Sequence, residues 1–219
     1  MLFSIIAHEI AHGYAALKQG DTTALEAGRL TWNPIKHIDL WLTIIVPVML
    51  AFAHQPIIGG ARPVPVDPRN YRHHVRGDII VSLAGVATNI LIAVVFAITV
   101  VLIGLLARVL PGLATSFSIV QAMLALGIWL NFGLVVFNLL PIPPLDGSHV
   151  AKYLMPRSWA RYYQRIGFLG LLLIIVFMRM DNSPLDWWFR PALIATRFVL
   201  EKIAIFILPQ ASAWWSALG

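Results

Sequence analysis

Two histidines four residues apart, with a glutamate between them, stand near the start of the chain as His8-Glu9-Ile10-Ala11-His12. In a helix, residues four apart share one face. Both imidazoles then reach one metal ion, and Glu9 lies beside it. This is the HExxH arrangement of zinc hydrolases, with two histidine ligands and a glutamate as general base for water. The competing reading is three polar groups satisfied by neighbouring helices. A catalytic zinc takes three protein ligands, so another must come from elsewhere. The chain has no cysteine, which leaves His, Asp or Glu. Asp146 is the candidate. It ends a charge-free run that begins at Val109, follows Pro141, Pro143 and Pro144, and precedes Gly147. The prolines break a helix and the glycine allows a tight turn, which can aim a carboxylate back into a bundle. An equally good alternative makes Asp146 the N-cap of a helix starting near Ser148.

The elements that must position these residues follow from composition. The chain has 219 residues, of which 59% are hydrophobic and 12% charged; its mean hydropathy is +0.79. A soluble domain averages roughly 45–50% apolar and about 25% charged. Disorder, a basic tail protein and an ordinary cytosolic enzyme are thereby excluded. The expectation is an all-α polytopic membrane protein, a bundle of about 4–6 transmembrane helices. Ile79–Ala107 and Ile119–Leu140 are the clear spans. Ile166–Met178 is shorter and closed by Arg179, and Leu2–Leu17 is interrupted by His8, Glu9 and His12. Leu40–Ala53, about 14 residues with Pro47 inside, reads as a re-entrant segment. Leu25–Trp32 and Ala61–Val66 read as short extended edge strands on the cytoplasmic side. The whole of 1–219 reads as one membrane-embedded domain without an added soluble domain. Its core is 1–180, and 181–219 forms an interfacial or last membrane helix, with Trp187, Trp188, Trp214 and Trp215 as an aromatic belt. The N-terminus shows no signal peptide.

The formal net charge is +6. In this setting it points to anionic lipid headgroups and not to nucleic acid. Arg62, Arg69, Arg72 and Arg76 fall in one loop, and Lys152, Arg157, Arg161 and Arg165 in another. The turn between the two clear spans carries only Arg108. The positive-inside rule puts both basic segments in the cytoplasm and the turn outside.

These motifs resemble, in order, those of the site-2 protease family of intramembrane zinc metalloproteases, peptidase family M50. His8-Glu9-Ile10-Ala11-His12, Ala84-Gly85-Val86-Ala87-Thr88-Asn89 and Leu145-Asp146-Gly147 carry the resemblance. Asn33-Pro34-Ile35-Lys36-His37-Ile38-Asp39 and Ala61-Arg62-Pro63-Val64-Pro65-Val66 resemble its compact prokaryotic branch. The resemblance covers roughly residues 4–180. It implies one zinc ion per chain, held by His8, His12 and Asp146, with Glu9 as catalytic acid and base. It implies that Asn89 faces the site, binding substrate backbone or polarising a carbonyl; an interhelical hydrogen bond is the alternative. It implies a multi-pass protein of a prokaryotic cytoplasmic membrane, with its site toward the cytoplasm. Its partners would be the bilayer and the transmembrane segments of protein substrates, with no nucleic acid. Val86 stands where the family has proline, so the local kink should differ. Seven residues precede His8, about 10 Å of helix, so either the start of the chain has been lost or misassigned, or that helix begins inside the bilayer.

The second function class is a non-proteolytic membrane metal-binding protein, or a pseudoprotease that binds membrane clients. Glu9 argues against it, since a purely binding site needs no general base. His37 reads as a loop histidine or one lining the site, and His149 as a solvated residue or a second metal ligand. His54, His73 and His74 read as headgroup-facing. Asn138 reads either as facing the cavity or as an interhelical hydrogen bond.

Overall fold

Helix α1 (Leu2–Gln19) ends where Gly20 takes a left-handed conformation, φ 107°. Its N–H returns to the carbonyls of Ala16 and Leu17, a glycine stop that a side chain would strain. The next residue, Asp21, is fully buried. Its carboxylate accepts the Thr23 N–H at 3.1 Å, the Asn70 amide at 2.9 Å and the Asp67 N–H at 2.7 Å. These bonds hold the 67–70 turn against the end of α1, and the Arg72 N–H donates to the Gln19 carbonyl at 2.8 Å. The start of the long fourth helix is thereby tied to the end of the first.

The structure is a computed structural model and describes residues 1–52, 60–180 and 183–211. The helices after α1 are α2 (Thr23–Glu26), α3 (Val46–Phe52), α4 (His74–Val109), α5 (Ala114–Asn138), α6 (Asp146–Ala151), α7 (Arg157–Arg165), α8 (Phe168–Met178) and α9 (Pro184–Lys202). Short 3-10 turns and a π-helical run at Leu40–Ile45 join them. Two compact units are formed. One comprises Met1–Thr88 and Leu140–Gly170, the other Asn89–Leu139 and Leu171–Gly219.

The first unit holds α1, the loops that follow it, the first part of α4, and α6 with α7. Ala16, Tyr71 and Val81 form one of its apolar clusters. In the second unit α5 packs on α9 through Ala125, Ile128 and Leu200, joined by Ala93 of α4. Gln121 is buried there and donates to the carbonyls of Val100 and Phe206, each at 2.9 Å. It also accepts the Leu208 N–H at 2.9 Å. An amide in an apolar helix is costly until both its ends are satisfied, and here they fasten the chain beyond α9. Ser183 caps α9 by accepting the Leu185 N–H at 3.1 Å.

Among the described residues two helical stretches, His74–Val109 and Pro111–Asn138, are long and apolar enough to cross a membrane. A third is reached if α7 and α8, bent by 75°, count as one broken span. This is fewer than the expected 4–6. The difference lies in α1, α3 and α9, which are too short or too polar to qualify.

No strand is present among the described residues, which corrects the two expected edges. Residues 23–26 are helical; Ala24 is buried, and Asp21 accepts the Thr23 N–H at the turn before them. Ala61–Val66 has no regular secondary structure. Pro63 and Pro65 lack N–H groups. The N–H of Arg62 donates to the His37 carbonyl at 2.8 Å, and that of Val64 donates to Glu9. The segment expected to be re-entrant is helical, π-helical over Leu40–Ile45 and α-helical in α3. His54, Trp214 and Trp215 lie outside the described residues.

Candidate metal centre

Helix α1 places His8 and His12 one turn apart, both buried, with their rings edge-on at 4.6 Å between centroids. His12 Nδ1 lies 2.7 Å from the carbonyl of Val81 in α4. A carbonyl only accepts, so the proton sits on Nδ1 and Nε2 presents a lone pair. That Nε2 faces His8 Nε2 at 2.9 Å. The third group is Asp146 Oδ2, 3.2 Å from His8 Nε2 and 3.4 Å from His12 Nε2.

Asp146 is the first residue of α6, and Leu145 occupies the N-cap. The reading of Asp146 as a cap is thereby set aside. Its carboxylate turns to the histidines.

The donor set fits zinc. Two imidazole nitrogens and a carboxylate oxygen converge, and Asp146 Oδ2 is buried with no hydrogen-bond partner. Ligands at zinc distances in a tetrahedral site are about 3.3 Å apart, close to the three separations seen. Gly85 of α4 lies against the pair. A Cβ there would fall 2.6 Å from His12 Nε2 and 2.6 Å from His8 Nδ1. The backbone of α4 can approach the imidazoles this closely because position 85 has no side chain.

Glu9 points to the loop side. Its Oε2 accepts the Val64 N–H at 2.8 Å. The backbone around Val64 is held in turn by the buried Arg29, whose guanidinium donates to the Arg62 carbonyl at 2.7 Å. Thus the 61–66 stretch orients Glu9 instead of pairing as a strand.

Behind Asp146 lies a buried cluster that sequence reasoning missed. Asp78, near the start of α4, is 2% exposed. It accepts the Tyr153 hydroxyl at 2.7 Å, pairs with the Lys152 ammonium, and lies 3.4 Å from His149 Nδ1. All three partners follow Asp146 within eight residues. The available signal was an acidic residue placed directly before the charge-free run Ile79–Ala107.

The remaining candidates take other places. His37 is buried and its Nε2 donates to the Thr31 carbonyl at 2.8 Å, so it staples its loop. His149 serves Asp78. Asn138 donates to the Leu134 carbonyl at 3.0 Å within its own helix. Asn89, one turn beyond Gly85 along α4, is fully buried, and neither amide atom has a hydrogen-bond partner among the described residues.

The model of peptidase family M50 matches residues 1–178. The chain belongs to peptidase family M50. This membrane-embedded family agrees with the apolar helices. Among its relatives is the Bacillus subtilis protein named "Putative zinc metalloprotease YwhC", 37% identical over 94% of this chain and 90% of that one. "Putative zinc metalloprotease Rip2" of Mycolicibacterium smegmatis is 29% identical over 99% of this chain and 79% of its own length. The Mycobacterium tuberculosis protein of the same name is 25% identical over 86% of this chain and 67% of its length. No solved structure matches the chain significantly.

Proposed function

We propose that this M50 chain is an intramembrane zinc metalloendopeptidase that hydrolyses peptide bonds within or near transmembrane segments of membrane proteins. One observation carries the reading. His8 Nε2, His12 Nε2 and Asp146 Oδ2 converge on one point, and the residue between the histidines is a carboxylate. A zinc ion held by these three side chains would supply Lewis acidity and would lower the pKa of water toward neutrality.

The chain's own residues do the rest. Val81 fixes the His12 tautomer. The Val64 N–H holds Glu9 Oε2, which leaves Oε1 to receive a proton from the attacking water. Glu9 then delivers that proton to the amide nitrogen as the peptide bond breaks. The carboxylate returns to its starting state, so one residue serves as base and then acid. Asn89 is proposed to meet the substrate backbone, its unpaired amide being suited to a carbonyl that loses its helical hydrogen bond. A helical substrate hides its amides, so it must unwind locally to present one.

The two basic segments favour a multi-pass arrangement in a bacterial cytoplasmic membrane, with the site toward the cytoplasm. The substrate class follows from the membrane setting, and the printed names of the bacterial relatives agree with zinc-dependent proteolysis.

The test is Glu9→Gln in purified protein with a transmembrane substrate. Zinc content should stay at the wild-type level while cleavage falls by about 10²–10⁴-fold, the usual weight of a general base. Cleavage at the wild-type rate would remove Glu9 from the chemistry. Loss of zinc along with cleavage would show that Glu9 shapes the metal site instead.

A further inference from the structure

Helix α7 is divided lengthwise. Its inner face carries Tyr163 and Gln164. The Tyr163 hydroxyl donates to the Pro141 carbonyl at 2.8 Å, and the Gln164 amide donates to the Ser148 carbonyl at 3.2 Å. Those two carbonyls flank Asp146 in sequence. Its outer face carries Arg157, Arg161 and Arg165, four residues apart and all exposed. They form a single stripe, and the helix contains no acidic residue. No ion pair among the described residues engages them.

Alongside the stripe stand Trp159 and Tyr162, 71% and 70% exposed. Arg165 lies over the Tyr162 ring at 5.7 Å. Two large rings left this open are poorly placed for bulk water. They suit the headgroup layer, where an amphipathic ring has one apolar and one wet side.

The chain beyond α7 agrees. Gly167, with φ 49°, makes the turn, and the wholly apolar α8 departs at 75°. A polar helix joined by a sharp bend to an apolar one is what a chain needs to pass from the membrane surface into hydrocarbon. Gly170 at the start of α8 presses on the Pro143 carbonyl, with no room for a Cβ. The bend therefore contacts the 141–148 stretch at Pro141, Pro143 and Ser148.

We propose that the outer face of α7 docks on anionic phospholipid headgroups at the membrane surface, and that this seats the Asp146 segment through Tyr163 and Gln164. The arginines meet phosphates, and Trp159 and Tyr162 lie at the boundary with the acyl chains. The inference needs the chain to lie in a bilayer but is independent of peptide hydrolysis.

The test uses the full chain in nanodiscs of phosphatidylcholine, alone or mixed with phosphatidylglycerol, read by hydrogen exchange. The anionic lipid should slow exchange several-fold over 157–165 and over the amides of 145–150. Exchange over α5 should not change. Combined Arg157→Gln, Arg161→Gln and Arg165→Gln should abolish the slowing. Combined Arg72→Gln and Arg76→Gln, which alter another basic segment, should leave it. Inorganic phosphate added to phosphatidylcholine discs should not reproduce it. Equal exchange in the two lipid mixtures overturns the proposal and leaves an acidic protein surface as the occupant. Protection reproduced by inorganic phosphate, or retained in the triple variant, overturns it as well. Slowing confined to α7 overturns the link to Asp146.

Discussion

At the scale of single residues, the candidate site depends on a side chain that is missing. Gly85 lets the α4 backbone approach both imidazoles, and a methyl group there would overlap the ring of His8. Gly85→Ala is therefore expected to strip zinc from the purified protein, measured as metal per chain. In a helix interior alanine is more favourable than glycine by about 1 kcal/mol. A variant that keeps its helical circular dichroism yet loses metal would isolate the contact itself. Full zinc occupancy in Gly85→Ala would show that the cradle is looser than drawn. The pair His8 and His12 was legible in the sequence, since helical periodicity alone brings residues four apart together. Asp146 was legible only as one of two readings. Nothing local separates a ligand from a cap, and the approach of Asp146 to the α1 histidines is a long-range contact. The Val81 carbonyl, which fixes the His12 tautomer, was not legible at all, because a backbone acceptor leaves no trace in residue type.

At the scale of elements, α6 is held in place by α4. Asp78 gathers Tyr153, Lys152 and His149 into one buried cluster. Removing a buried charge that holds a cation leaves the partner uncompensated and costs about 3–5 kcal/mol. Asp78→Ala should loosen the stretch from Asp146 to Leu154. Trypsin should then cut after Lys152 and Arg157 faster than in the wild type, and the thermal midpoint in detergent should fall. Unchanged cleavage at Lys152 would mean that the helix is held by other contacts. The sequence marked α4 and α5 well, because runs free of charge have few outcomes other than membrane helices. The break at Pro141–Pro144 was equally plain. The expected strands failed for a physical reason. Extended backbone becomes a strand only if its donors are open to a neighbour. Here proline removes two donors, while His37 and Glu9 take two more.

At the scale of the whole molecule, the question is which ends of α4 and α5 face which side of the membrane. Helix α4 is about 54 Å long at 1.5 Å per residue, more than the roughly 30 Å of a hydrocarbon core. It therefore extends beyond the hydrocarbon, and His74, His73 and Arg72 precede or open it at one end. The connection to α5 is the short Pro111–Leu113 turn, with Arg108 as its one nearby cation. Charge density thus differs strongly between the two ends, and the positive-inside rule predicts that the basic end faces the cytoplasm. The absence of cysteine makes this directly measurable, since each introduced thiol is the only one present. Gly112→Cys is suited to the turn because nothing lies within 4 Å of a Cβ there. Ser158→Cys reports on α7, where the residue is exposed. A membrane-impermeant maleimide applied to spheroplasts should label the first and spare the second until the cells are opened. The reverse pattern would invert the orientation and move the proposed lipid-docking face of α7 to the outer leaflet. Labelling of both from outside would mean that α4 and α5 do not form a hairpin with its turn alone outside. The basic segments would then need a different account, one in which their arginines meet a protein partner and not the inner lipid surface.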